Sequence, residues 1–146
     1  MTIRRVLLAF VAGFLATLIF HQGGLALMNA AGLTERAAFG MAATKPLGVP
    51  QVFSLAFWGG VWGIVLAAFL ARTGGARTYL LRALAFGAIA PTLVAFFVVS
   101  PLKHLPIAAG GDPSIIAGAL ILNGLWGIGT ALLLRMFGAQ RATPSA

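Results

Sequence analysis

The sequence predicts an all-α integral membrane protein, a bundle of four transmembrane helices, and three observations carry that prediction. Four uncharged stretches, 6–34, 46–71, 83–102 and 113–134, run through the chain, and each reaches the roughly 20 apolar residues that cross a hydrocarbon core. Both acidic residues, Glu35 and Asp112, lie outside those stretches. The composition is 60% hydrophobic and 8% charged, against roughly 25% charged in an ordinary soluble domain. Continuous apolar runs, rather than ten-residue alternation, select helices over a barrel.

Helices are expected near 4–30, 51–72, 78–100 and 114–137, as a single transmembrane domain 1–146 with a cytoplasmic tail at 138–146. Arg4-Arg5 followed by an apolar run resembles a secretory signal, but the uncharged run continues well past signal length, so an uncleaved first helix is expected. Thr73-Gly74-Gly75-Ala76-Arg77 reads as a tight turn that makes helices two and three antiparallel neighbours. The 101–113 segment, with three prolines and Gly110-Gly111, reads as an irregular loop. In 33–50, Thr34 is expected to cap a short helical turn with Glu35 in it, before Lys45-Pro46 and Gly48-Val49-Pro50 break it.

The net charge of +8 does not point to nucleic acid, because the basic residues flank the apolar stretches instead of forming a face with stacking aromatics. They read as anchors to anionic headgroups, Arg82 among them, snorkelling from about one turn inside helix three. Arg4, Arg5, Arg72, Arg77, Arg82, Arg135 and Arg141 fall on the side of the N-terminus; Arg36, Lys45 and Lys103 fall on the other. The positive-inside rule places both termini in the cytoplasm of a bacterial inner membrane.

Small residues recur every four positions: Gly59, Gly63, Ala67 and Ala71 on helix two, and Ala9, Gly13 and Thr17 on helix one. Such stripes let helices approach closely and predict a central helix two, with Trp58 and Trp62 on a neighbouring face. Gly124 and Gly127 belong to a repeat: Gly60-Val61-Trp62-Gly63-Ile64 matches Gly124-Leu125-Trp126-Gly127-Ile128. With Leu8-Ala9-Phe10 set against Leu84-Ala85-Phe86, the chain reads as two helical hairpins in parallel repeat.

Counting along the helices puts His21, Gln22, Ser54, Thr92 and Asn123 at similar depth, nearer the external side. Gln22 and Asn29 share a face of helix one, and Asn123, Trp126 and Thr130 share one of helix four. These residues form the candidate polar cluster of an outward vestibule, or else hydrogen bonds that hold helices together. His21 is the group within the stretches that titrates near neutrality, and a neutral ring bonded to Asn123 or a backbone carbonyl is expected. Pro91 is expected to kink helix three at the cluster's depth. No metal or cofactor is expected, since there is no cysteine, His104 lies in a loop and no carboxylate lies within a helix.

Neither a Ser-His-Asp arrangement, a carboxylate pair nor a phosphate-binding glycine loop is present, which argues against an enzyme. The functional expectation is a membrane protein that binds or passes a small solute through the polar cluster. The alternative is a structural or assembly subunit of a larger complex. The stripes and the short length also suggest a homo-oligomer.

Phe20-His21-Gln22-Gly23, and Gly48-Val49-Pro50-Gln51 running into Ser54-Leu55-Ala56-Phe57-Trp58-Gly59-Gly60, resemble a group of small four-helix inner-membrane proteins of bacteria. That resemblance implies fold and location only, and no activity.

Orientation is directly measurable. A C-terminal green fluorescent protein fusion is expected to fluoresce and a C-terminal alkaline phosphatase fusion to stay inactive; the opposite pair of results would put the C-terminus outside.

Overall fold

The computed structural model describes residues 1–138. The tail expected at 138–146 therefore lies, from residue 139 on, outside the described residues, as does Arg141. Four helices are long and apolar enough to cross a membrane: α1 (Ile3–Ala30), α2 (Gln51–Leu70), α3 (Ala76–Leu102) and α4 (Pro113–Met136). Between α1 and α2 a minimal antiparallel ladder pairs β1 (Ala43–Thr44) with β2 (Val49–Pro50).

Local chemistry accounts for where the helices start and stop. Thr2 Oγ1 accepts from the Arg5 N–H at the first turn of α1. At its other end Gly32, at φ 70°, lets Leu33 N–H reach Met28 O while its own N–H reaches Asn29 O, the paired bonds of a Schellman cap. Asp112 caps α4: its Oδ1 accepts from Ser114 Oγ at 2.6 Å, Ser114 N at 2.8 Å and Ile115 N at 3.3 Å, with Pro113 at the first helical position. These bonds, led by the Ser114 hydroxyl, hold the Asp112 carboxyl below the usual carboxylate range. The cap's stabilisation is thus complete above the ordinary Asp pKa and is lost as pH falls through the lowered one.

Two helices contain a π turn, Thr17–His21 in α1 and Ala95–Val99 in α3. Pro91 removes the helical donor of Gly87 O, and a wide turn follows it in α3. The α-helix runs through Pro91 to Val94, and the wide turn begins where Ala95 N–H shares the carbonyls of Pro91 and Thr92. Thr34 caps no helical turn; its hydroxyl accepts from Arg36 N–H at 3.2 Å in a local turn.

Packing follows the small residues. α1 lies along α2 and α3 along α4, and α1 also packs on α4 to join the two pairs. A methyl group on Gly13 would overlap the Gly59 carbonyl and come within 2.9 Å of Gly63 Cα. One on Gly63 would come within 2.5 Å of the Ala9 carbonyl. The two stripes thus face each other, backbone against backbone. The same arrangement recurs between α3 and α4, where Gly87 meets Gly127 Cα and the Asn123 carbonyl, and Gly127 meets the Ala83 carbonyl. Gly60 and Gly124 receive the Phe10 ring and Leu84 Cδ1 in turn.

The two hairpins are therefore built alike. The sequence match of α2 with α4 has the register seen in the crossings, whereas Leu8-Ala9-Phe10 against Leu84-Ala85-Phe86 is two residues out. The crossings equate Ala9 and Gly13 with Ala83 and Gly87. Helix two is not central: its stripe is used by α1, and α4 has the largest buried share. Trp58 is 58% exposed on the bundle's outer surface, while Trp62 is half-buried on Phe86 with ring centroids 5.9 Å apart.

The crossings predict an ordering of variants. Gly13→Val and Gly87→Val are each expected to cost about 1–3 kcal/mol through overpacking, read as a lowered Tm in detergent. Gly23→Ala, with nothing within 4 Å of the added methyl group, should leave Tm nearly unchanged.

Candidate functional site

The polar residues sit toward the end of the bundle that carries the 31–50 and 103–112 loops, and they form two separate arrangements. The first is on α1. Gln22 is 4% exposed, and its Oε1 accepts from Phe39 N–H at 2.7 Å. That bond fixes which way the carboxamide points, so Nε2 is the atom 3.3 Å from His21 Nδ1. Nδ1 then acts as acceptor and the ring proton sits on Nε2. His21 is thus bonded to Gln22, not to Asn123 or a backbone carbonyl as the sequence suggested.

Phe39 is held at φ 56°, a left-handed conformation that is an outlier for a bulky residue. Around it the loop is tied down at Gly40 O and Ala42 O, which accept from Val52 N and Gln51 N. The Gln51 side chain also packs against Gly40. The 31–50 segment therefore reaches back over α1 as a strap, attached at Gln22 and at the start of α2. Asn29 belongs to this strap region as well: its Nδ2 donates to Thr34 O at 3.0 Å.

The second arrangement joins α3 and α4. Asn123 Nδ2 donates to Thr92 Oγ1 at 2.8 Å, and Thr92 is 3% exposed. Asn123 comes next to the Gly87–Gly127 crossing, so the bond adds a polar lock beside a backbone contact. Ser54 is half-buried on α2 and joins neither group. The face shared by Asn123, Trp126 and Thr130 divides its bonds: Asn123 turns to α3, Trp126 to α1, and Thr130 Oγ1 back to its own helix at Trp126 O.

Three residues outside the expected cluster matter as much. Trp126 Nε1 donates to Gly13 O at 3.0 Å, and Thr17 Oγ1 donates to the same carbonyl at 2.9 Å. Phe39 supplies the strap's N–H. Thr17 was visible as a small polar residue within the stripe. Nothing in the local sequence marked Phe39, because a backbone donor leaves no trace in residue type. At the opposite end, Tyr79 OH reaches Ala131 O at 3.4 Å, and the Arg135 guanidinium lies 4.2 Å over the Tyr79 ring. There Arg82 donates to Thr73 Oγ1 at 3.1 Å across the α2–α3 turn.

Among the described residues no group of three or more His, Cys, Asp or Glu side chains gathers as a metal site. Chemically, the α1 arrangement offers an imidazole, a carboxamide and backbone amides, which suit hydrogen bonding to a neutral solute. No protein-family model matches the chain, and neither a curated protein nor a solved structure does.

A double-mutant cycle separates the two arrangements. Thr92→Val and Asn123→Leu are expected to couple by roughly 0.6 kcal/mol, the mean for bonds between membrane helices. Gln22→Leu combined with Asn123→Leu should be additive in unfolding measurements, since their hydrogen bonds share no partner.

Proposed function

We propose that the chain is a non-enzymatic multi-pass protein of the bacterial inner membrane, with both termini cytoplasmic. In this reading it binds or passes a small neutral or weakly polar solute at its outward-facing end. The observation that carries the reading is the Gln22 strap. A buried carboxamide, next to an imidazole and just beyond a π turn, is covered by a loop through a single backbone hydrogen bond. Single π turns inside helices recur at functional sites, and outlying backbone conformations such as that of Phe39 cluster at ligand clamps. A solute carrying a donor can take the place of the Phe39 N–H on Gln22 Oε1, with His21 Nε2 as a second contact. The Arg-rich cytoplasmic end would rest on anionic headgroups.

The Asn123–Thr92 bond favours a second reading, a structural or assembly subunit, alone as a homo-oligomer or within a larger complex. There the polar groups only hold helices together, as buried interhelical bonds do.

The absence of cysteine makes the test direct. Single cysteines at His21, Gln22, Ser54, Thr92 and Asn123 are treated in intact cells with a membrane-impermeant thiol reagent. Solute handling predicts labelling at His21 and Gln22, protection at Thr92, and vesicle solute flux that disappears in His21→Ala. Protection at all five positions, with control cysteines in the 33–50 and 101–113 loops reacting, would leave the subunit reading in place.

A further inference from the structure

The two hairpins are built alike, but the two seams between them are not. A four-membered ring of helices has an α1–α4 seam and an equivalent α2–α3 seam. The crossings relate α1 to α3 by Gly13 and Gly87, and α4 to α2 by Gly127 and Gly63. The α1–α4 seam is closed along its length. Gly129 takes the Phe20 ring, Gly24 faces Leu122 and Leu125, Gly118 meets Met28, and Trp126 is bonded to Gly13 O.

The π turn of α3 begins four residues beyond the position equivalent to that of α1, so the two seams diverge past it; by sequence offset the outer positions that would face each other are Val98 with Trp58 and Val61, and Leu102 with Ser54. In the structure the seam's outer half is parted: 51–70 does not approach 95–102, and Val98 is 50% exposed, Trp58 58% and Leu102 76%. The α2–α3 seam is instead held nearer the other end by Phe69 and Trp62 against Phe86.

The Trp126 bond has its own counterpart, Trp62 toward Gly87 O. Gly13 O receives the N–H of Thr17 four residues on. Pro91 occupies that position for Gly87 and has no N–H, so this buried carbonyl lacks its helical donor. A buried carbonyl without its donor costs free energy, and the repeat aligns an indole N–H on the next helix to supply one.

We propose that the α2–α3 seam closes into a second conformation in which Trp62 leaves Phe86 and donates to Gly87 O, the counterpart of the Trp126–Gly13 bond. The bundle then has two states, one with the seam parted and one with both seams latched by a tryptophan. Pro91 is what makes the second latch favourable, because it frees the acceptor. The proposal goes beyond the solute reading and does not depend on it.

Cross-linking tests this in the full-length chain. The pair Val61→Cys/Val98→Cys spans the parted seam, and Gly24→Cys/Leu125→Cys spans the closed one as a control; both are oxidised in native membranes with copper phenanthroline. An intramolecular disulfide is expected for both pairs, slower for the first. Adding Trp62→Phe should slow the first pair several-fold and leave the control unchanged. Pro91→Ala should do the same by returning a helical donor to Gly87 O. No cross-link at Val61/Val98 while the control reacts would overturn the proposal, as would a rate indifferent to Trp62→Phe. An intermolecular product from either single cysteine would overturn it too, and would show a second copy of the chain covering the seam.

Discussion

Two backbones touching without side chains between them is the constraint on which the rest of this bundle depends. At Gly13 and Gly63 the helices come so close that even a methyl group would strike a carbonyl or a Cα. Dispersion contacts fall off steeply with separation, so only residues without a Cβ bring two whole backbones into range. Further interactions follow from that approach. It brings the Thr17 hydroxyl to Gly59, and it leaves the Gly13 carbonyl at the edge of the crossing, where Trp126 of α4 reaches it. One crossing thus pairs α1 with α2 and presents the acceptor that helps hold α4.

The π turn that follows in α1 decides what lies beyond the crossing. An extra residue in a helix rotates everything after it by about 100° relative to a regular 3.6-residue period. The wide turn bonds Gln22 N–H to Thr17 O, so Gln22 takes the place a regular helix gives residue 21 and continues the buried face of Ala9, Gly13 and Thr17, while His21 turns aside. Gln22 thus extends the packed stripe to the strap, where Phe39 N–H bonds its Oε1.

What was legible in the sequence divides along the same physical lines. Helix positions were readable because apolar length is a one-dimensional property, and α2 and α4 begin within a residue of their expected starts. Azimuth was not: a period argument places residues on a common face but cannot see a wide turn, and a small-residue stripe announces close approach without naming the neighbour. Helix two was expected at the centre on its stripe, and that stripe turned out to face the matching stripe of helix one. The strap was invisible because its key bond is made by the N–H of Phe39. Pro91 was read as a kink, whereas its chemical consequence is a missing donor at Gly87.

The difference between the two polar arrangements bears on function through exchange. Inside a water-poor bundle a polar group can change partners only if another partner is at hand, since leaving it unbonded costs about 1–3 kcal/mol. The Asn123–Thr92 pair joins two helices locked at a backbone crossing, so breaking it strands the buried Thr92 hydroxyl. Gln22 differs. Its partner is a loop amide at a strained residue, and release of the loop would relax Phe39 while exposing the carboxamide to any incoming donor. Exchange at Gln22 needs a loop to lift, whereas exchange at Asn123 needs two packed helices to part. In the solute reading proposed above, α1 carries the group that exchanges partners and the Asn123–Thr92 bond serves the packing of α3 on α4.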